Sequence, residues 1–177
     1  MADKKERIDA SRRKLFTGAF NRLRGKQESE TVVAETESAL PALKKAEVAY
    51  RAGEYGSAVD HYRAFLAVET NNTEARFRLG RCLYKLEKYL QAKVEFERVL
   101  YLKRQDNDAF LFLGLTLCRL DRPQKAVALW RQFFDTSRMA LQREVNVQLG
   151  LLEMGEDEAP SGVEIAMAIE AVLDRPA

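Results

Sequence analysis

Ala58, Ala92 and Ala126 stand 34 residues apart, and several other residue types keep the same step along the chain. Large aromatics hold it at Tyr62, Phe96 and Trp130, and bulky apolar residues at Phe65, Val99 and Phe133. The pair Leu79-Gly80 returns as Leu113-Gly114, and Tyr55 as Tyr89, with Pro123 in the third place. A fixed period of about 20–50 residues restricts a fold more than composition does, because each unit buries its apolar face only on the next.

Within one period the apolar residues recur at helical spacing. Leu79, Leu83 and Leu86 form one stripe; Tyr89, Ala92, Val94, Phe96, Val99 and Leu100 form the next. Two amphipathic helices per repeat follow. Turns are expected at Ala52-Gly53-Glu54, Glu69-Thr70-Asn71-Asn72, Arg104-Gln105-Asp106-Asn107 and Asp121-Arg122-Pro123, each with the Gly, Asn, Asp or Pro that turns favour. Pro123 suits a first helical turn, where its missing N–H is not needed.

This register resembles that of the tetratricopeptide repeat family, mapped on 39–72, 73–106 and 107–140. The first repeat keeps Gly53, Tyr55, Ala58 and Tyr62; the second keeps Leu79-Gly80, Tyr89, Ala92 and Phe96; the third keeps Phe110, Leu113-Gly114, Ala126 and Trp130. The family's final Pro is replaced by Thr70, Arg104 and Ser137, and its late Ala by Phe65, Val99 and Phe133, which suggests wider helix spacing in the same fold. The resemblance implies an all-α solenoid of helical hairpins wound as a right-handed superhelix. After it, Met139 to Met154 reads as another helix closed by Gly155, and 156–160 as a polar break. Ser161-Gly162-Val163-Glu164 has capping-box spacing ahead of Ile165, Ile169, Val172 and Leu173. Residues 141–177 are therefore expected to be a degenerate fourth hairpin that seals the open end of the stack.

Charge separates a further segment. Residues 1–26 carry nine Lys/Arg against three Asp/Glu, a net of +6, while the remaining 20 basic and 24 acidic residues give −4. Ile8, Leu15, Phe16, Ala19, Phe20 and Leu23 recur there at helical spacing, so 1–26 reads as a basic amphipathic helix and 27–38 as a polar tether. Arg12, Arg13, Leu15, Phe16, Phe20 and Leu23 are its expected contact residues, toward a second protein or an anionic membrane surface. The alternative is that its apolar edge packs on the first repeat. Ser11 to Phe16 looks like a twin-arginine export motif, but no apolar segment follows it. No stretch approaches the roughly 18 apolar residues of a membrane span. Cys82 and Cys118 fall at no metal spacing, and a reducing compartment is the simplest reading. A cytoplasmic location is expected, with the inner face of a membrane as the peripheral alternative.

The family resemblance also implies that the first helices of the repeats line a concave groove. The matching inward positions are Leu43, Glu47 and Tyr50; Phe77, Arg81 and Tyr84; and Asp108, Leu111, Leu115 and Cys118. In the family's clamp for a terminal carboxylate the corresponding places are basic or amide; here they hold Leu43, Glu47, Arg78, Asp108 and Phe112, so that ligand class is not expected. An aromatic strip beside Arg81 and Lys85 suits an amphipathic helix or an extended apolar peptide. The alternative is that Phe77, Leu111 and Leu115 are buried by neighbouring repeats or by the chain's own N-terminal arm.

His61 is the only histidine, it sits beside core Tyr62, and no nucleophile, metal set or phosphate-binding glycine loop accompanies it. No catalytic residue, metal or cofactor is expected, and an acidic body argues against nucleic acid. The reading is a non-enzymatic protein–protein interaction adaptor or assembly factor. A dedicated chaperone is the first alternative. In length, repeat count, N-terminal helix and Gly80-Arg81-Cys82 the chain resembles the small chaperones of bacterial type III secretion, which hold apolar segments of translocator subunits. A self-assembling structural repeat protein is the second.

Overall fold

The computed structural model describes residues 39–154 and 160–175. The basic arm and the tether expected at 1–38 lie outside the described residues. The chain divides into two units, Met1–Pro41 and Ala42–Ala177, and from Ala42 onward the helical stack forms the second. All regular structure among the described residues is helical: α1 (39–51), α2 (Tyr55–Val68), α3 (Thr73–Lys85), α4 (Tyr89–Leu102), α5 (Asn107–Arg119), a 3₁₀ turn (Pro123–Ala126) running into α6 (Val127–Trp130), α7 (Met139–Met154) and α8 (Gly162–Leu173). No helix among them is long and apolar enough to cross a membrane.

Local chemistry repeats with the period. Asn72 and Asp106, 34 apart, accept from the Ala75 and Ala109 amides at 2.9 Å and so start α3 and α5. Each first helix of a repeat ends in the same double hydrogen bond. Gly53 and Glu54 donate to the Tyr50 and Ala49 carbonyls, Glu87 and Lys88 to Tyr84 and Leu83, and Asp121 and Arg122 to Cys118 and Leu117. That motif needs a left-handed residue, and Gly53, Glu87 and Asp121 have φ of 75°, 58° and 55°. Ser161 and Glu164 form the reciprocal capping box that opens α8.

Consecutive helices pack as antiparallel hairpins, α2 on α3, α3 on α4 and α4 on α5. Ala58, Ala92 and Ala126 are fully buried, as are Tyr62, Phe96 and, at 1% exposure, Trp130. Each aromatic stands over the small residue 16 positions before it: Phe96 over Gly80 and Trp130 over Gly114, with Ala46 and Tyr62 in the first repeat both buried. Burying each such ring contributes roughly 1.5–3 kcal/mol. Between α3 and α4 the Arg76–Glu95 ion pair, at 2.6 Å, adds a largely buried polar link.

The third repeat departs from the first two. Its second helix is only the 3₁₀ turn and α6, and the chain leaves helical geometry soon after Trp130. Asp135 organises the exit by accepting from the Ser137 and Arg138 amides at 2.9 and 3.1 Å and from Arg138 Nε at 2.6 Å. Asn107 exchanges hydrogen bonds with the Phe134 backbone across the same loop. α7 packs on α6, and α8 packs on α7 and also turns back onto α5. α8 thus covers a flank of the third repeat as well as following it.

Candidate functional site

α5 is the most enclosed helix, with every residue from Ala109 to Cys118 buried. On one side lie α4, the 3₁₀ turn and α6, and Trp130 Nε1 donates to the Leu111 carbonyl at 3.3 Å. On the other lies α8, where a methyl added to Gly162 would strike the Cys118 carbonyl. Three groove expectations are corrected by this arrangement. Leu111, Leu115 and Cys118 are all 0% exposed, because α8 and the α4–α6 layer close over α5 from both sides. They are core residues.

α8 covers only part of the face formed by α3 and α5. A cleft of about 590 Å³ remains, bounded by α3, α5, the start of α7 and the end of α8. Phe77, Tyr84 and Phe112 make its aromatic floor, with ring centroids 5.6 Å apart for Phe77–Phe112 and 6.0 Å for Tyr84–Phe112. Met139, Leu141, Val172 and Leu173 add apolar wall, and Arg81, Lys85, Asp108, Glu170, Asp174 and Arg175 the polar rim. Of the groove residues read from the sequence, Phe77, Arg81, Tyr84 and Asp108 come together here. Leu43, Glu47 and Tyr50 lie outside it on α1, reaching it only where Arg81 rests 5.6 Å from the Tyr50 ring.

The rim is held by ion pairs between helices. Asp108 meets Arg138 at 2.6 Å, and Lys85 meets Asp174 at 3.6 Å. Glu170 accepts from Arg119 and from the Tyr84 hydroxyl, tying α8 to both α5 and α3. Burial first, and then the carboxylate beside it, push the Tyr84 phenol far above its ordinary range, so it remains a donor. Arg78, at one of the carboxylate-clamp places, is taken by Glu74 at 2.7 Å and Glu47 at 3.9 Å.

The contributions of Met139, Leu173, Asp174 and Arg175 were not visible in the sequence, since nothing local places α7 and α8 beside α3. His61 is half-buried on α2, in a shallow depression with Lys44 and Glu54. Burial pushes the Cys82 and Cys118 thiols up to about 11 and about 12, so both stay protonated near neutrality. No cluster of His, Cys, Asp and Glu suited to a metal occurs among the described residues.

Comparison with known proteins agrees with the helical repeat. Residues 49–115 match the tetratricopeptide repeat model, which supports that reading of the repeated unit. A crystal structure of MamA is similar at TM-score 0.60 and 18% identity, covering 82% of this chain and 84% of that one. A MamA RS-1 ArsTM double mutant is similar at TM-score 0.60 and 21% identity, covering 78% of each. At such identity the likeness is one of fold. A search of curated proteins gave no significant match.

Proposed function

We propose that this tetratricopeptide-repeat chain is a non-catalytic protein-interaction adaptor. Its cleft takes a helical or extended segment of one partner, and residues 1–26 contact a second protein or an anionic membrane surface. The observation that carries the first half is the cleft itself, where α8 leaves Phe77 half-buried and Met139 exposed above the buried rings of Tyr84 and Phe112. Grooves of this kind suit amphipathic helices, whose apolar face covers the floor while their polar face meets the rim. The second half rests on sequence: a net +6 beside regularly spaced Leu15, Phe16 and Phe20.

Affinity capture with the intact chain, read by mass spectrometry, tests both halves. A Phe77→Ser/Met139→Ser variant should lose one set of partners while its helicity stays near the parent's. Arg12→Glu/Arg13→Glu should weaken a different attachment, most strongly at low salt, because charge attraction is screened over about 8 Å at physiological ionic strength. Leu15→Ser/Phe16→Ser should weaken that same attachment at every salt concentration. Unchanged partner sets in the cleft variant would refute the cleft as the binding site.

A further inference from the structure

The charges around the cleft do not cancel. Each of its three carboxylates already has a cation: Asp108 has Arg138, Glu170 has Arg119 and Asp174 has Lys85. Arg81 and Arg175 also face the cleft, and neither has a carboxylate partner among the described residues. Arg81 is half-buried, with its guanidinium 5.0 Å from the Phe112 ring centroid and 5.6 Å from that of Tyr50. Two aromatic faces fix a guanidinium in place without consuming its N–H donors. Those donors make no hydrogen bond to any described residue, and a partly desolvated cation gains most from an acceptor brought to it.

Resting on the reading of this cleft as a partner site, we infer that it takes an acidic amphipathic segment. Apolar side chains of one or two helical turns cover Phe77 and Met139, and an Asp or Glu side chain between them is held by Arg81. Arg175 supplies an outer second contact. The acid is a side chain and not a chain terminus, because the places that would clamp a terminal carboxylate hold Leu43, Glu47, Arg78, Asp108 and Phe112, and Arg78, their one cation, is taken by Glu74 and Glu47. A basic segment fits poorly; the chain's own residues 1–26, at a net +6, are mismatched to a rim whose free groups are cations.

The test uses the full chain and three fluorescent amphipathic peptides, each about four helical turns long. They share one apolar face and carry Glu, Gln or Lys at the same two rim-facing positions. Anisotropy titration should show the Glu peptide binding about tenfold more tightly than the Gln peptide, with the Lys peptide weakest. Arg81→Gln should bring the Glu peptide down to the Gln level while the Gln peptide's affinity stays within about twofold. The peptide series on the unaltered chain decides the matter even where the variant folds poorly. Equal binding of Glu and Gln peptides, preference for Lys, a Glu preference that survives Arg81→Gln, or no binding of the Glu peptide would each overturn the inference. The adaptor reading would still stand or fall separately, on partner capture by the Phe77 variant.

Discussion

The indole of Trp130 lies against the backbone of α5 at Gly114, so close that a methyl group there would overlap the ring. The same edge of the ring, through Nε1, donates to the Leu111 carbonyl and so holds the indole against α5. Glycine inside a helix ordinarily costs about 0.5–1 kcal/mol relative to alanine, and here the close approach is what requires it. Gly114→Ala should therefore destabilise by about 1–3 kcal/mol through overpacking. Gly150 lies in α7, and a methyl group added to it would meet nothing within 4 Å, so Gly150→Ala should stabilise by about 0.5–1 kcal/mol. Urea unfolding of the two variants checks the opposite signs.

The buried alanines make a companion test. Ala92 is 0% exposed at a helix crossing, and Ala92→Leu should cost about 1–3 kcal/mol. Trp130→Ala should cost about 3–5 kcal/mol by leaving a cavity. Thermal melts in which both variants match the parent would contradict the packing register.

At the turn between α3 and α4, Glu87 occupies the left-handed position that Gly53 fills in the first repeat. A non-glycine residue pays about 1–2 kcal/mol there. Glu87→Gly should raise stability by about 0.5–1 kcal/mol, less than the full strain because glycine also loosens the unfolded chain. Asp121→Gly should gain less, since Asp tolerates this conformation better than Glu. Denaturant midpoints with unchanged slopes would report these gains.

Hydrogen bonds from Ser137 and Arg138 hold the Asp135 carboxyl well below the usual carboxylate range. Because its folded value is depressed below the unfolded one, its contribution is present above about pH 4 and is lost as pH falls further. Asp135→Asn should lower stability at neutral pH by about 0.5–1 kcal/mol, the scale of a partly exposed ion pair. The gap between parent and variant should narrow as melts are taken toward about pH 3. A gap that is constant with pH would mean that the charge of Asp135 is not its source.

What the sequence disclosed and what it withheld divide by range. The capping box at Ser161, the turns at Gly53, Asn72, Asp106 and Pro123, and the bounds of α7 are set by residues a few positions apart, so spacing alone revealed them, although the caps that Asn72 and Asp106 form were not read from it. The return of α8 onto α5 depends on Gly162 meeting Cys118 and on Glu170 reaching Arg119, 51 residues away. No period or cap encodes that, so Leu111, Leu115 and Cys118 read as groove when they are core. The same contact brings Leu173 and Arg175 to the cleft. Phe77 and Arg81 were singled out by the family resemblance, and both line the cleft.

Site-specific photocrosslinking tests the central claim most directly. A photoreactive phenylalanine analogue is placed at Phe77, on the cleft floor, or at Leu90, which is 68% exposed on α4 away from the cleft lining. Irradiation of cells carrying the full chain should yield a discrete crosslinked partner from position 77 and none from position 90. Crosslinks from position 90 alone, or the same partner from both positions, would contradict the cleft as the binding surface.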